Sequence, residues 1–249
     1  MEYLDTQIIS YSHKGETDWI VENKHISSIV ACEFLMSNST LNDQANYYIP
    51  VCNDVTHIRL FRKMDHSFAK KISDSILFNF SKIDQPPFRQ YNNKSISNII
   101  NNKRKDLLHS SIGHLKKEMR KTINNKFIFL LDQNISCNPI YECDIETGYE
   151  LLDLFSKEYN TKDNFKNTWN DILILSKTIN DKAILNTNDK LLKKFAEKYF
   201  PNNITRKDDI FTLDFEDKKN AVRNNIQESK GYINNGWFYK IRTKNSPSL

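Results

Sequence analysis

No apolar run in this chain is longer than about five residues, and four of them carry an acid at the edge. These acids are Asp5 in Tyr3-Leu-Asp-Thr-Gln7, Glu33 in Ser28-Ile-Val-Ala-Cys-Glu33, Asp171 in Trp169-Asn-Asp171 and Asp189 in Thr187-Asn-Asp189. Runs this short are strands, or the inner stripes of helices, of an ordinary water-filled fold; a spanning helix needs roughly 20 apolar residues. A carboxylate beside such a run is out of place unless something holds it there.

Local pattern assigns each acid a position. Asp5 ends the apolar Tyr3-Leu4, and Asp189 follows Ala183-Ile-Leu185, so both fall at the carboxyl ends of strands. Asp171 opens Ile172-Leu-Ile-Leu175, which continues through Lys177 and Ile179 with helical spacing, placing it in a first turn where free N–H groups favour an anion. Glu33 lies about two turns into a helix that begins near Ser27 or Ser28, residues suited to an N-cap. In an open α/β sheet the strand ends and helix starts share one edge, where ligands bind. The fold expected is α/β, with the four acids on that edge.

Four carboxylates brought together raise one another's pKa values, and a hard divalent cation removes that cost. All-oxygen ligands suit Mg²⁺ or Mn²⁺, leaving coordination positions for water and phosphate. The chemistry implied is phosphodiester hydrolysis by metal-activated water. The competing reading makes Asp171 and Asp189 helix caps and leaves Asp5 and Glu33 solvated.

At Leu4-Asp-Thr-Gln-Ile-Ile9, Ile26-Ser-Ser-Ile-Val-Ala-Cys-Glu-Phe-Leu35, Asn170-Asp-Ile-Leu-Ile-Leu-Ser-Lys-Thr-Ile179 and Ala183-Ile-Leu-Asn-Thr-Asn-Asp-Lys190 the chain resembles the PIN-domain nucleases, compact metal-dependent endonucleases acting mostly on RNA. The resemblance implies a PIN-like parallel sheet flanked by helices, with Asp5, Glu33, Asp171 and Asp189 as metal-binding, catalytic acids. It gives Thr6, Asn170, Thr187 and Asn188 supporting roles around them or at the scissile phosphate. Gln7 departs from the family, many members of which carry Asn there. The implied activity is a Mg²⁺- or Mn²⁺-dependent endoribonuclease cutting tRNA, rRNA or mRNA, in the manner of toxins or defence effectors held off by an inhibitor protein; pairing into a homodimer is also common in the family. The alternatives are a structure-specific DNA nuclease of the same fold and a non-catalytic module that binds nucleic acid or protein.

The family-like blocks leave a long middle section. The expected core covers about 1–38 and 126–215, with a helical insertion at about 40–125 and a C-terminal extension at about 216–249, all one domain. In the insertion Phe61, Met64, Phe68, Ile72 and Ile76 recur at helical intervals, as do Leu108, Ile112, Leu115 and Met119, and Asp84-Gln-Pro-Pro-Phe88 breaks the chain between them. Phe127–Leu131 reads as a buried strand or a buried helix end. Ile140–Cys143 reads as a strand, Gly148–Tyr159 as a helix, Lys190–Phe200 as a helix with Leu191, Leu192, Phe195 and Tyr199 inward, Ile210–Phe215 as an edge strand, and Asp217–Lys230 as a polar helix. Tyr232, Trp237, Phe238 and Tyr239 form a terminal aromatic cluster expected to dock on the core.

Charge is segregated along the chain. Between Arg59 and Lys126 there are 16 Lys and Arg against five acids, a net +11; since the whole chain is +5, the remainder is −6. An acidic catalytic part needs a basic surface to hold a polyanion near it, and Lys103, Arg104, Lys105, Lys116, Lys117, Arg120 and Lys121 are the candidate nucleic-acid contacts; a solvated helix face is the competing reading. Four cysteines without a CxxC pair read as buried reduced thiols, six histidines form no HExxH, and five glycines form no phosphate-binding loop. With no leader pattern and no spanning segment, a cytoplasmic protein without membrane contact is expected.

Overall fold

The computed structural model describes residues 1–41, 44–48, 76–79, 88–90, 93–159, 165–206, 210–216 and 238–241. Its elements in chain order are β1 (Glu2–Leu4), α1 (Thr6–Lys14), β2 (His25–Ser27), α2 (Ser28–Leu35), β3 (Ser37–Leu41), β4 (Gln44–Tyr48), β5 (Ile76–Asn79), β6 (Phe88–Gln90), α3 (Asn93–Asn101), α4 (Lys105–Ile112), α5 (Lys117–Asp132), β7 (Ser136–Asn138), α6 (Glu142–Glu158), α7 (Phe165–Asn180), β8 (Ile184–Thr187), α8 (Lys190–Tyr199), β9 (Ile204–Arg206), β10 (Phe211–Asp214) and β11 (Phe238–Ile241). Six strands form one sheet in the order β7-β2-β1-β8-β10-β9, flanked by helices. The first four run parallel, while β10 is antiparallel to both β8 and β9. The sheet is therefore mixed: the expected parallel strands are its first four, and two antiparallel strands extend it. Separately, β3 pairs with β4, and β5 lies antiparallel between β11 and β6.

The topology decides where a ligand can sit. From β1 the chain crosses through α1 to β2 and then to β7 on one side, and later returns through α7 to β8 on the other side of β1. Strand order reverses between β1 and β8, and in open α/β sheets the crevice beyond the strand ends at such a reversal is where ligands bind. The register Leu4↔Asn186 ends both strands at the same level. Asp5 and Asp189 follow those ends.

Helix boundaries follow from capping. The Ser27 hydroxyl accepts the Val30 N–H at 3.2 Å, as its place before an apolar run requires, and Gly15 closes α1 at φ 72°, donating to the carbonyls of Tyr11 and Ser12. Helix α7 is central: every residue from Ile172 to Thr178 is buried. Trp169 at its start stacks on Tyr149 of α6 with ring centroids 5.0 Å apart and meets Phe78 edge-on at 5.1 Å. A Cβ on Gly148 would come within 3.1 Å of Leu173 Cδ2 and 3.2 Å of the Trp169 ring, so glycine lets α6 and α7 approach.

Several expected elements are corrected. Helix α7 begins at Phe165, which puts Asp171 in its second turn and not its first. Ile140 and Tyr141 lead into α6, which Glu142 and Cys143 open, and the strand lies just before them at Ser136–Asn138. Ile210–Phe215 does contain a strand, but β10 is interior and β9 forms the edge. The section expected to be helical carries β3 to β6 before its helices, and Ile76 is in a strand. The Leu108–Met119 stripe is split by the turn at 113–116 into α4 and α5, and Phe127–Leu131 is the end of α5. Leu191 is 47% exposed, not inward, and Cys143 is exposed while Cys32 and Cys137 are buried. Phe61, Met64, Phe68, Ile72, Cys52, residues 217–230, Tyr232 and Trp237 lie outside the described residues. No helix among the described residues is long and apolar enough to cross a membrane.

Candidate functional site

Two of the acids are set by the sheet. Asp5 follows β1 with extended backbone, its N–H donating to Asn186 O at 3.0 Å, and it caps α1 through Oδ1, which accepts the Thr6 N–H at 2.5 Å. Its other oxygen accepts from the Thr187 hydroxyl at 2.6 Å. That hydroxyl also accepts the Asp189 N–H at 3.1 Å, so Thr187 ties the two strand-end acids together. Asp189 caps α8, accepting the Leu192 N–H at 2.6 Å. Capping is thus real for both, but a cap alone leaves unexplained why Asp5 is only 3% exposed.

The other two acids come from helices. Glu33 in α2 is held at both oxygens: the Thr6 hydroxyl donates to Oε2 at 2.6 Å and Asn170 Nδ2 to Oε1 at 2.7 Å. Asn170 Oδ1 stays buried without a partner. Asp171, the next residue in α7, is half-buried and accepts no hydrogen bond from any described residue. None of the four acids forms an ion pair with a described residue.

Electrostatics tie Asp171 to the other three acids. Burial first, then the charges of Asp5, Asp189 and Glu33, hold Asp171 well above the usual carboxylate range. Burial raises Asp5 to about 6, with Glu33 and Asp189 adding to the rise and the Thr187 and Thr6 bonds opposing it. Glu33 is raised by burial, against the Thr6 and Asn170 hydrogen bonds and the charge of Lys166. These are like charges crowded at low dielectric.

Of the supporting residues, Thr6, Asn170 and Thr187 each bond an acid, whereas Asn188 is exposed and bonds none. Lys166 was not visible as a site residue in the sequence. It lies four residues before Asn170 on α7, the spacing that puts two side chains on one helix face, and that spacing was the available signal. The seven candidate nucleic-acid cations are exposed, but Arg104 is engaged by the Asp106 carboxylate through two bonds of 3.0 and 2.8 Å. Lys103 sits in the turn between α3 and α4 at φ 52°, Lys105 opens α4 and Lys116 precedes α5.

The donor set is all oxygen: four carboxylates and the unpartnered Asn170 carbonyl. Such a set suits a hard divalent cation and not a soft one. As they stand, no group of three or more Asp, Glu, His or Cys side chains among the described residues is disposed to hold a metal ion. The chemistry of the donors, all oxygen, suits a hard cation. No protein-family model, curated protein or solved structure matches this chain.

Proposed function

We propose that this protein is a divalent-metal-dependent endoribonuclease whose active site is the Asp5, Glu33, Asp171 and Asp189 cluster, with Mg²⁺ or Mn²⁺ as the cation. The observation that carries the reading is Asp171: a carboxylate that burial and the charges of Asp5, Asp189 and Glu33 disfavour as an anion, with neither a hydrogen bond nor an ion pair from the described residues. A cation bound there would lower the pKa of a water and offset charge on a phosphate.

The chain's own groups do the positioning. Thr187 and the Thr6 N–H fix the Asp5 carboxylate, while Thr6 and Asn170 fix that of Glu33, so both present their remaining lone pairs in a set direction. Asp5, poised at about 6, is mostly ionised at neutral pH and becomes fully so beside a cation. Lys166, half-buried near Glu33, offers a positive charge to a non-bridging phosphate oxygen.

The test is incubation of purified protein with labelled RNA and with single-stranded DNA, in Mg²⁺, Mn²⁺ or EDTA, beside Asp5→Asn and Asp171→Asn. Metal-dependent cutting of RNA, falling at least about 100-fold in each variant, is the expected result. Cutting by either variant at the wild-type rate refutes the assignment. Absence of both cutting and Mn²⁺ binding replaces the enzyme with a binding module.

A further inference from the structure

Between α4 and α5 lies a groove of about 290 Å³ lined by His109, Ile112, Lys117, Arg120, Lys121 and Asn124. No carboxylate of the described residues lines it. Lys117, Arg120 and Lys121 are exposed and form no ion pair with a described residue, in contrast to Arg104, which the adjacent Asp106 neutralises. The three cations also occupy the first turns of α5, whose first residue is Lys117 and whose N-cap Lys116 supplies no side-chain hydrogen bond. Positive charge there opposes the helix dipole, and a bound anion turns that opposition into attraction. His109 is fixed at the groove by a 2.8 Å hydrogen bond with Asn124, and Ile112 adds an apolar surface. Cations for phosphate and an anchored flat ring for a base are the parts of a single-strand binding surface.

Helix α5 also ties this groove to the carboxylates. Lys126, further along it, donates to Met36 O at 3.3 Å and lies 5.4 Å over the Phe34 ring, at the end of the helix that carries Glu33. At about 1.5 Å per residue, Lys121 and Lys117 are roughly 8 and 14 Å along the axis from that junction.

We propose that the α4–α5 groove binds the phosphodiester backbone of a single-stranded nucleic acid, through Lys117, Arg120 and Lys121 with His109 as a stacking face. Its service to catalysis rests on the nuclease reading above; its binding does not. The test measures anisotropy of a fluorescent single-stranded RNA oligonucleotide, and of DNA of the same sequence, with full-length protein in EDTA across a salt series. The variants are the triple substitution Lys117→Ala, Arg120→Ala, Lys121→Ala, the single His109→Ala, and a control pair Lys182→Ala, Lys194→Ala at exposed cations elsewhere.

Each lost phosphate contact lowers the slope of log affinity against log salt by about 0.7, so the triple variant should lose a slope of about 2 and at least about 30-fold in affinity at moderate salt. His109→Ala should weaken binding with the slope unchanged, and the control pair should have little effect. Equal loss for RNA and DNA means the groove reads backbone alone; loss confined to RNA means the ribose hydroxyl is read as well. Wild-type affinity and slope in the triple variant, or an acidic peptide bound at the groove with no oligonucleotide binding, overturns the proposal. Groove-dependent binding without metal-dependent cutting refutes the nuclease and leaves the groove standing, and cutting with groove-independent binding does the reverse.

Discussion

If the acids crowd one another as described, removing one charge should stabilise the cation-free protein, and Asp5→Asn is the cleanest removal. Asp5 is raised from its ordinary 3.8 to about 6. At about 1.4 kcal/mol for each tenfold change in proton affinity, ionised Asp5 costs the folded state roughly 3 kcal/mol above pH 6. Asparagine keeps the cap on the Thr6 N–H, since Asn and Asp cap equally well. It places an N–H₂ opposite the Thr187 hydroxyl, which must reorient at a cost of about 1 kcal/mol. The net expectation is a gain of about 2 kcal/mol at neutral pH without metal. The sign follows from proton uptake: between pH 3.8 and 6 the folded state holds a proton that the unfolded state has lost, so wild-type stability falls as pH rises through that window. Below it Asp5 is neutral in both states, and Asn brings only its small loss. Urea unfolding in EDTA across the window should show the two curves crossing and then separating, and Mg²⁺ should raise wild type but not Asp5→Asn. An Asp5→Asn protein no more stable than wild type at neutral pH in EDTA would refute the burial and crowding that raise Asp5 and on which the site rests.

Two further outcomes test the support around the acids. Thr187→Val removes the hydroxyl that joins Asp5 to Asp189, so Mn²⁺ affinity by calorimetry and the cleavage rate should both fall about 10- to 100-fold while the fold stays intact; unchanged values would reduce Thr187 to a packing residue. Gly148→Ala forces a methyl against Leu173 and Trp169, and should cost about 1–3 kcal/mol in urea unfolding with cleavage per folded molecule unchanged; a neutral effect would mean that α6 and α7 part easily.

What the sequence carried was local. A short apolar run followed by an acid placed Asp5 and Asp189 correctly, because both effects lie within five residues of each other. Ser27 announced α2 by the same kind of signal, and its distance from Glu33 then put that acid on the helix. Asp171 was misplaced by a turn because the apolar run Ile172–Leu175 marks only the middle of α7, which Phe165 and Trp169, both buried, extend further toward its start. Strand β7 was invisible because Ser136-Cys-Asn138 has no strand-like composition. It is imposed from outside by parallel pairing with β2 and by the Asn101 side chain, which donates to Cys137 O at 2.9 Å and accepts the Cys137 N–H at 2.8 Å. Likewise Asn93 binds Ile140 at both its N–H and its carbonyl, turning an apolar stretch that reads as a strand into the approach to α6. Such clamps join residues 36 to 47 positions apart, and no periodicity records them.

The same helix that presents Asp171 shows how this fold treats an acid it means only to bury. Toward the other end of α7, Lys177 is 2% exposed and its ammonium lies 2.9 Å from Asp181 and 3.4 Å from the buried Asp144. Asp181 also receives the Tyr3 hydroxyl, Asp144 receives Asn180 at 3.0 Å, and the Lys177 charge sits 4.7 Å from the Tyr141 ring centroid. Those charges are paired and hydrogen-bonded, as burial requires. Asp171, six residues earlier, has three acids for neighbours and no described partner. Both clusters rest on one rigid, fully packed helix, so poor packing does not account for the difference. The strand-end register fixes Asp5 against Asp189, and hydrogen bonds fix Glu33 at both oxygens. Asp171 is the acid that can turn toward an incoming charge, within a frame already built. On the proposed reading, a cation entering there would meet a folded protein, so the free energy of binding would go into relieving like-charge repulsion and not into ordering the chain.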